Sequence, residues 1–204
     1  MITVLLADDQ AMVRGAMAAL LELEGDITVV GQVGRGDEVV AEALRTRPEV
    51  VLMDVDMPGL DGLAATPLLL QALPGVKVLV VTTFGRPGFL RRALDCGAHG
   101  FIVKDAPAAQ LAETVRRVHA GLRVVDPQLA ADSLLFGESP LTPREADVLA
   151  TGADGATIQV IAKRLHLSEG TVRNHLSAAI GKTAAGTRAE AIRIAIDRGW
   201  IVGP

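Results

Sequence analysis

Val50-Val51-Leu52-Met53-Asp54-Val55-Asp56-Met57-Pro58 decides how the rest of the chain is read. Its four leading apolar residues match a strand buried on both faces, as in a parallel sheet. The run ends on Asp54, and Pro58, Gly59 and Gly62 then turn the chain sharply. Open α/β sheets gather their ligands at the carboxyl ends of such strands. A carboxylate there, among apolar neighbours, is costly unless something pairs with it. The question is what pairs with Asp54.

Working outward, residues 2–7 read as a first strand that ends on Asp8-Asp9. Residues 11–24 have helical spacing, with Met12, Ala16, Leu20 and Leu23 along one side. A strand over 27–30 and a helix over 37–46 complete the half before Asp54. After it come a helix over 63–73, strand 76–81 running into Thr82, helix 88–96, strand 100–103 ending at Lys104, and helix 107–120. Pro67 predicts a late start or a kink in the helix that holds it. Strands alternating with helices demand a parallel sheet covered on both faces. Right-handed crossovers leave a flavodoxin-like, doubly wound α/β sheet of five strands in the order 2-1-3-4-5.

In that order strands one and three are neighbours, so Asp8, Asp9 and Asp54 share a crevice. Like charges at that separation raise one another's pKa. A divalent cation relieves them, and hard oxygen ligands favour Mg2+. Thr82 and Lys104 bring a hydroxyl and an ammonium to the same rim. Together these groups suit phosphoryl transfer. Asp54 can attack phosphorus, the metal and Lys104 can offset charge on the phosphoryl oxygens, and Thr82 can donate a hydrogen bond. Any one of these residues alone is an ordinary cap or solvated side chain; their meeting at matching strand ends is what carries the reading.

With 204 residues, half of them hydrophobic, the chain can form one large domain or two small ones. No apolar run reaches the length of a membrane span, and the N-terminus lacks the basic head of a signal peptide. Cys96 is the single cysteine, so an internal disulfide is excluded. A cytoplasmic protein with no membrane partner is expected. Residues 1–138 hold 12 Lys and Arg against 18 Asp and Glu, while residues 139–204 hold 8 against 6. An acidic body and a mildly basic tail suggest two domains with different partners.

Residues 121–138 read as a linker, with Gly121, Pro127 and Gly137, and with an apolar patch over 129–136 that suits a short helix. Beyond it, Thr142, Pro143 and Glu145 form a helix start with a capping box. That helix runs to about Ala153. A second ends near Leu165, with Ile158, Ile161, Ala162 and Leu165 inward. His166-Leu167 makes a tight turn, Ser168 caps a third helix through Lys182, and a fourth spans about 187–198. Two short helices, a turn and a capped helix form a helix-turn-helix, whose third helix enters the major groove of double-stranded DNA. On that helix Val172, Leu176 and Ile180 face inward, and Arg173, Asn174 and Ser177 face outward. Arg suits guanine and Asn suits adenine. Thr171, His175, Lys163 and Lys182 can hold phosphates.

Residues 1–120 resemble a response-regulator receiver domain, on Asp8-Asp9, Asp54 with Met57-Pro58 and Gly62, Thr82, and Phe101-Ile102-Val103-Lys104. The resemblance implies that Asp54 is the phosphoacceptor of a sensor histidine kinase. It makes Asp9 a direct Mg2+ ligand, Asp8 a ligand through water, and Asp56 a ligand through its backbone carbonyl. Thr82 and Phe101 become a switch pair that reports phosphorylation. Phe101 lacks the hydroxyl of the tyrosine often found there, and Asp105 replaces a common proline. Residues 139–204 resemble the LuxR-type (NarL/FixJ) four-helix, all-α DNA-binding domain, on Leu141-Thr142-Pro143-Arg144-Glu145, Ile161-Ala162 and Leu167-Ser168-Glu169-Gly170-Thr171-Val172-Arg173-Asn174-His175. This implies that Arg173, Asn174 and Ser177 touch bases, and that the fourth helix pairs two tails on DNA.

The expected protein is a two-component transcription regulator, not an enzyme, which forms a homodimer and binds its operator once Asp54 is phosphorylated. Two rivals stay in view. Asp54-Val55-Asp56 also matches the strand-end motif of haloacid-dehalogenase phosphatases, although those enzymes place their acidic pair downstream. A regulator switched by a ligand or partner alone usually lacks one of the acidic pair, the acceptor or the lysine.

Overall fold

Every residue of strand β3 (Val50–Asp54) is buried in the computed structural model, as a run apolar on both faces requires. The structure describes residues 1–83, 87–125, 130 and 139–201, which fall into two compact units. In the first, β1 (Ile2–Ala7), β2 (Ile27–Val33), β3, β4 (Lys77–Thr82), β5 (Gly100–Val103) and β6 (Val124–Val125) form one sheet in the order β2-β1-β3-β4-β5-β6. All pairings are parallel. The doubly wound order 2-1-3-4-5 is present, with a sixth strand added at its edge. That strand lies in the stretch read as linker. Two valines carry no period of their own. Pairing with Gly100 and Phe101 makes them a strand, and it covers the open edge of β5.

Helices α1 (Ala11–Glu22), α2 (Val39–Thr46), α3 (Gly62–Ala72), α4 (Pro87–Asp95) and α5 (Ala108–His119) accompany this sheet. On one face, Met17 and Leu21 of α1 and Leu111, Val115 and Val118 of α5 join Val4, Leu6, Val50, Leu52, Leu79, Val81 and Ile102 in one core. The alternate strand residues Leu5, Val51, Met53, Val78, Val80 and Phe101 are also buried and point to the opposite face. There α2 packs on β1 and β2, and α3 on β3 and β4.

Three local expectations change. The side of α1 that carries Met12, Ala16, Leu20 and Leu23 faces solvent; Met12 is 87% and Leu23 81% exposed. Met17, Ala18 and Leu21 are the buried stripe. The helix is apolar nearly all round, so periodicity offered two stripes and only packing chose between them. In α3, Pro67 causes no late start: the helix opens at Gly62, and Asp61 caps it by accepting from the Ala64 N–H at 2.8 Å. Helix α2 is preceded by a short 3-10 turn over Gly36–Glu38. The apolar patch over 129–136 lies, but for Ala130, outside the described residues.

The second unit is helical: α6 (Pro143–Thr151), α7 (Ile158–Leu165), α8 (Glu169–Lys182) and α9 (Arg188–Asp197). Each start is capped by a threonine or serine side chain, Thr142, Thr157, Ser168 and Thr187, which satisfies backbone donors that the first turn leaves open. His166 closes α7 in the left-handed conformation at φ 55°. Its core holds Val148, Leu149, Ile161, Ala162, Val172, Leu176, Ala179, Ala191 and Ala195, with Ile158, Leu165 and Ile180 packed against it. Among the described residues, no helix is long and apolar enough to cross a membrane.

Candidate functional site

Strand register builds the first site. Ala7 lies opposite Met53, so the next residues, Asp8 and Asp54, leave the sheet side by side. Asp54 in turn lies opposite Val81, and Thr82 opposite Val103. Thr82 and Lys104 therefore arrive at the same rim, tied by a bond from the Lys104 N–H to the Thr82 carbonyl at 2.7 Å.

The Lys104 ammonium reaches between two carboxylates, 2.7 Å from Asp8 Oδ2 and 2.8 Å from Asp54 Oδ2. Asp8, Asp54 and Thr82 are buried, while Asp9 is exposed. Burial pushes the Asp54 carboxyl up to about 6, against the bond from Lys104, which pulls it down; the nearby Asp8 charge adds to the rise. Burial works to lower the Lys104 ammonium, but its pairing with the Asp54 and Asp8 carboxylates outweighs this and holds it above the ordinary lysine value. The remaining carboxylate oxygens are fixed by the backbone. The Val55 N–H donates to Asp54 Oδ1 at 2.8 Å, and the Gln10 N–H to Asp8 Oδ1 at 2.9 Å.

Carboxylate oxygens of Asp8, Asp9 and Asp54 all lie within 4.8 Å of one another. Three negative groups against one ammonium leave a residual charge of two, which a divalent cation matches. Asp8 Oδ2 points the same way. It is buried, it faces Lys104 as an ion pair, and it makes no hydrogen bond of good geometry. An oxygen in that state, beside an exposed carboxylate open to solvent, fits a hard, partly hydrated metal ion.

The second site lies on α8. Arg173, Asn174 and Ser177 are exposed together, opposite the buried Val172 and Leu176. Ser168 Oγ accepts from the Thr171 N–H at 3.1 Å, which fixes the first turn. The geometry is that of a helix-turn-helix whose third helix presents a polar face.

A family model for the response regulator receiver domain matches residues 4–116, and one for bacterial regulatory proteins of the luxR family matches residues 139–195. The chain is a response regulator of the luxR family. It is similar to the transcriptional regulatory proteins YvfU and DesR of Bacillus subtilis, at 42% and 40% identity. Each similarity covers 98% of this chain and 100% or 99% of the relative. Among solved structures it is similar to the response regulator ChrA of a heme-sensing two-component system. There the identity is 31% and the TM-score 0.58, over 97% of this chain and 98% of the other.

As a luxR-family response regulator, the chain carries a receiver and a DNA-binding domain, and its relatives are transcription regulators. Of the residues singled out in sequence, the receiver brings Asp8, Asp9, Asp54 and Lys104 into one cluster, with Thr82 beside them. Phe101 is buried opposite Val80, and the Asp56 side chain is exposed. Lys163 is exposed, and Thr171 and His175 are half-buried. Lys182 stands apart. Its ammonium closes on the buried Glu145 at 2.7 Å and 2.9 Å, and Glu145 is also the capping-box partner of Thr142. Burial raises the Glu145 carboxyl, but Lys182 and the Thr142 N–H outweigh it and hold it below the usual carboxylate range.

Sequence reasoning missed Arg14, whose guanidinium on α1 donates to the Asp8 carbonyl oxygen and braces the turn after β1. An arginine on a surface helix carries no signal for that. It also missed why Gly36 is needed: a β-carbon there would fall 1.8 Å from the Leu60 carbonyl oxygen, in the loop that follows Asp54.

Proposed function

We propose that this response regulator is switched by phosphorylation of Asp54, in the cytoplasm, by a sensor histidine kinase. The observation that carries the reading is the Asp8–Lys104–Asp54 bridge with Asp9 beside it. An Asp54 oxygen would attack the phosphorus of a phosphohistidine, the P–N bond would break, and the histidine nitrogen would take up a proton. Mg2+, when bound, supplies positive charge for the phosphoryl oxygens. Asp9, Asp54 and the Asp56 carbonyl would hold it directly, and Asp8 through water. Lys104 would move from its carboxylates to a phosphoryl oxygen, and the Thr82 hydroxyl would donate to another. The phosphoryl group ends on the protein itself, which sets this chemistry apart from turnover of an external substrate.

Thr82 shifting toward the phosphoryl group would draw on the switch residue Phe101, and the change would reach a dimer face. The exposed row of Met12, Leu20 and Leu23 on and just after α1 supports the face built by the first and last receiver helices. The receiver is drawn through β6 to Val125, the linker over 126–138 and the DNA-binding domain over 139–204. A domain with 8 basic against 6 acidic residues has few phosphate contacts to offer, so one copy would bind DNA weakly. Two copies held together would gain affinity through effective concentration. Arg173, Asn174 and Ser177 would read bases, with Thr171, His175 and Lys163 at phosphates. Acetyl phosphate treatment followed by phosphate-tag electrophoresis tests this. A shifted band that needs Mg2+ and vanishes in Asp54→Asn is expected, together with tighter DNA binding. A band that persists in Asp54→Asn would refute the assignment.

A further inference from the structure

We propose that Glu169 is a specificity-determining residue for DNA: it positions the Arg173 guanidinium for one guanine and weakens binding to DNA that lacks it. The inference rests on the reading of α8 as the base-contacting helix. Glu169 is the first residue of α8, and its Oε2 accepts from Arg173 Nη2 at 2.8 Å. Both side chains are substantially exposed, 41% for Glu169 and 59% for Arg173, on the face that carries Asn174 and Ser177.

A guanine is read by two parallel N–H donors aimed at O6 and N7. Arginine can offer that fork from either of two edges, and a free side chain spends rotamer entropy to choose one. The bond to Glu169 uses one hydrogen of Nη2. One complete two-donor edge is left for a base. The guanidinium is thus presented in one attitude rather than many, which raises affinity for the matching base by lowering the ordering cost.

The carboxylate has a second effect. It brings a negative charge onto the helix that meets a polyanion. Where the guanine is present, the Arg173 fork offsets that cost. Where it is absent, the Glu169–Arg173 pair is close to neutral and the phosphates gain little from it. A repulsive element of this kind sharpens selectivity at the expense of general affinity. It matters most in a domain whose charge balance is already near even. The ordinary role of such a pair, a helix-stabilising contact between residues four apart at the positive end of the helix, would leave base preference untouched. The two roles therefore separate by experiment.

Phosphorylated full-length protein is selected against a random-sequence duplex library to define its site. Dissociation constants are then measured at one salt concentration for that site, for every single base-pair change in it, and for an unrelated duplex. The proteins compared are wild type, Glu169→Gln, Glu169→Ala, Arg173→Ala and the Glu169→Ala/Arg173→Ala double variant. Both Glu169 variants are expected to bind the unrelated duplex several-fold more tightly. They should also lose about tenfold of discrimination at one G·C pair. Arg173→Ala should lose the same pair, and the double variant should lose no more than Arg173→Ala alone. An unchanged base profile in both Glu169 variants would overturn the proposal while leaving the DNA-binding reading intact. Failure of the wild type to select any sequence would instead overturn that reading, and the role of Glu169 with it.

Discussion

A β-carbon on Gly62 would stand 1.8 Å from the carbonyl oxygen of Asp54. The Gly62 N–H also donates to the Val55 carbonyl at 2.9 Å, so the first residue of α3 lies flush against the end of β3. Only a residue without a side chain fits. Gly62→Ala is expected to push α3 off the strand and lower stability by more than about 2 kcal/mol, read as a fall in the urea midpoint. Acetyl phosphate labelling of Asp54, the proposed acceptor, should fall with it. Gly181 is the contrasting case, since nothing lies within 4 Å of a β-carbon there. Gly181→Ala on exposed α8 should stabilise by roughly 0.5–1 kcal/mol through helix propensity. A neutral Gly62→Ala would show that the loop yields to the added methyl.

Lys104 offsets two buried carboxylates at once. Lys104→Met keeps the stem and removes the charge, leaving Asp8 and Asp54 without their cation. Breaking buried pairs from one side costs about 3–5 kcal/mol. A loss near the lower end is expected at pH 8, because Asp54 protonates more easily than an ordinary carboxylate. At pH 5 the loss should shrink. Adding Mg2+ should stabilise Lys104→Met more than wild type, since no ammonium competes for the same oxygens. Equal Mg2+ increments in both proteins would count against a shared site.

The raised Asp54 pKa fixes a pH dependence. A carboxyl held at about 6 when folded, against 3.8 as its ordinary value, binds its proton more tightly in the native state. Its contribution is complete below the unfolded value and is lost as pH rises through about 6. Metal-free wild type should therefore lose stability between about pH 4 and pH 7 by up to roughly 3 kcal/mol. Asp54→Asn keeps the shape, still accepts from Lys104 and cannot ionise, so this part of its pH profile should be flat. Urea unfolding at several pH values, with chelator present, makes the comparison. Parallel slopes for the two proteins would remove Asp54 as the cause.

These tests concern contacts of two kinds, and sequence showed only one of them. The strand ends were legible because each pairs a buried apolar run with a single polar residue, as in Val50–Asp54 and Gly100–Lys104. A parallel sheet then brings such residues to one rim whatever the loops do. The helix caps were legible for a similar reason: Thr142, Pro143 and Glu145 act within one turn. The inward stripe of α1 was not, because Met12 and Met17 are equally apolar and only the sheet beneath distinguishes them. Strand β6 was not, because Val124 and Val125 are strand only by pairing with β5. Nor was the partner of Lys182, which lies on another helix, so its charge read as free.

Lys182 and Lys163 separate the two kinds of lysine in the DNA-binding domain. Lys182 closes on buried Glu145, whereas Lys163 is exposed on α7. Each phosphate contact adds about 0.9 to the slope of log affinity against log salt. Lys163→Met should reduce that slope by about 0.9 and leave stability unchanged. Lys182→Met should leave the slope alone. It should instead destabilise the domain by about 1–2 kcal/mol, a value discounted because the lysine side chain is partly in water and its charge is screened. A Lys182→Met slope that falls as far as that of Lys163→Met would mean that the Glu145 pair opens on DNA, and that Lys182 reaches a phosphate after all.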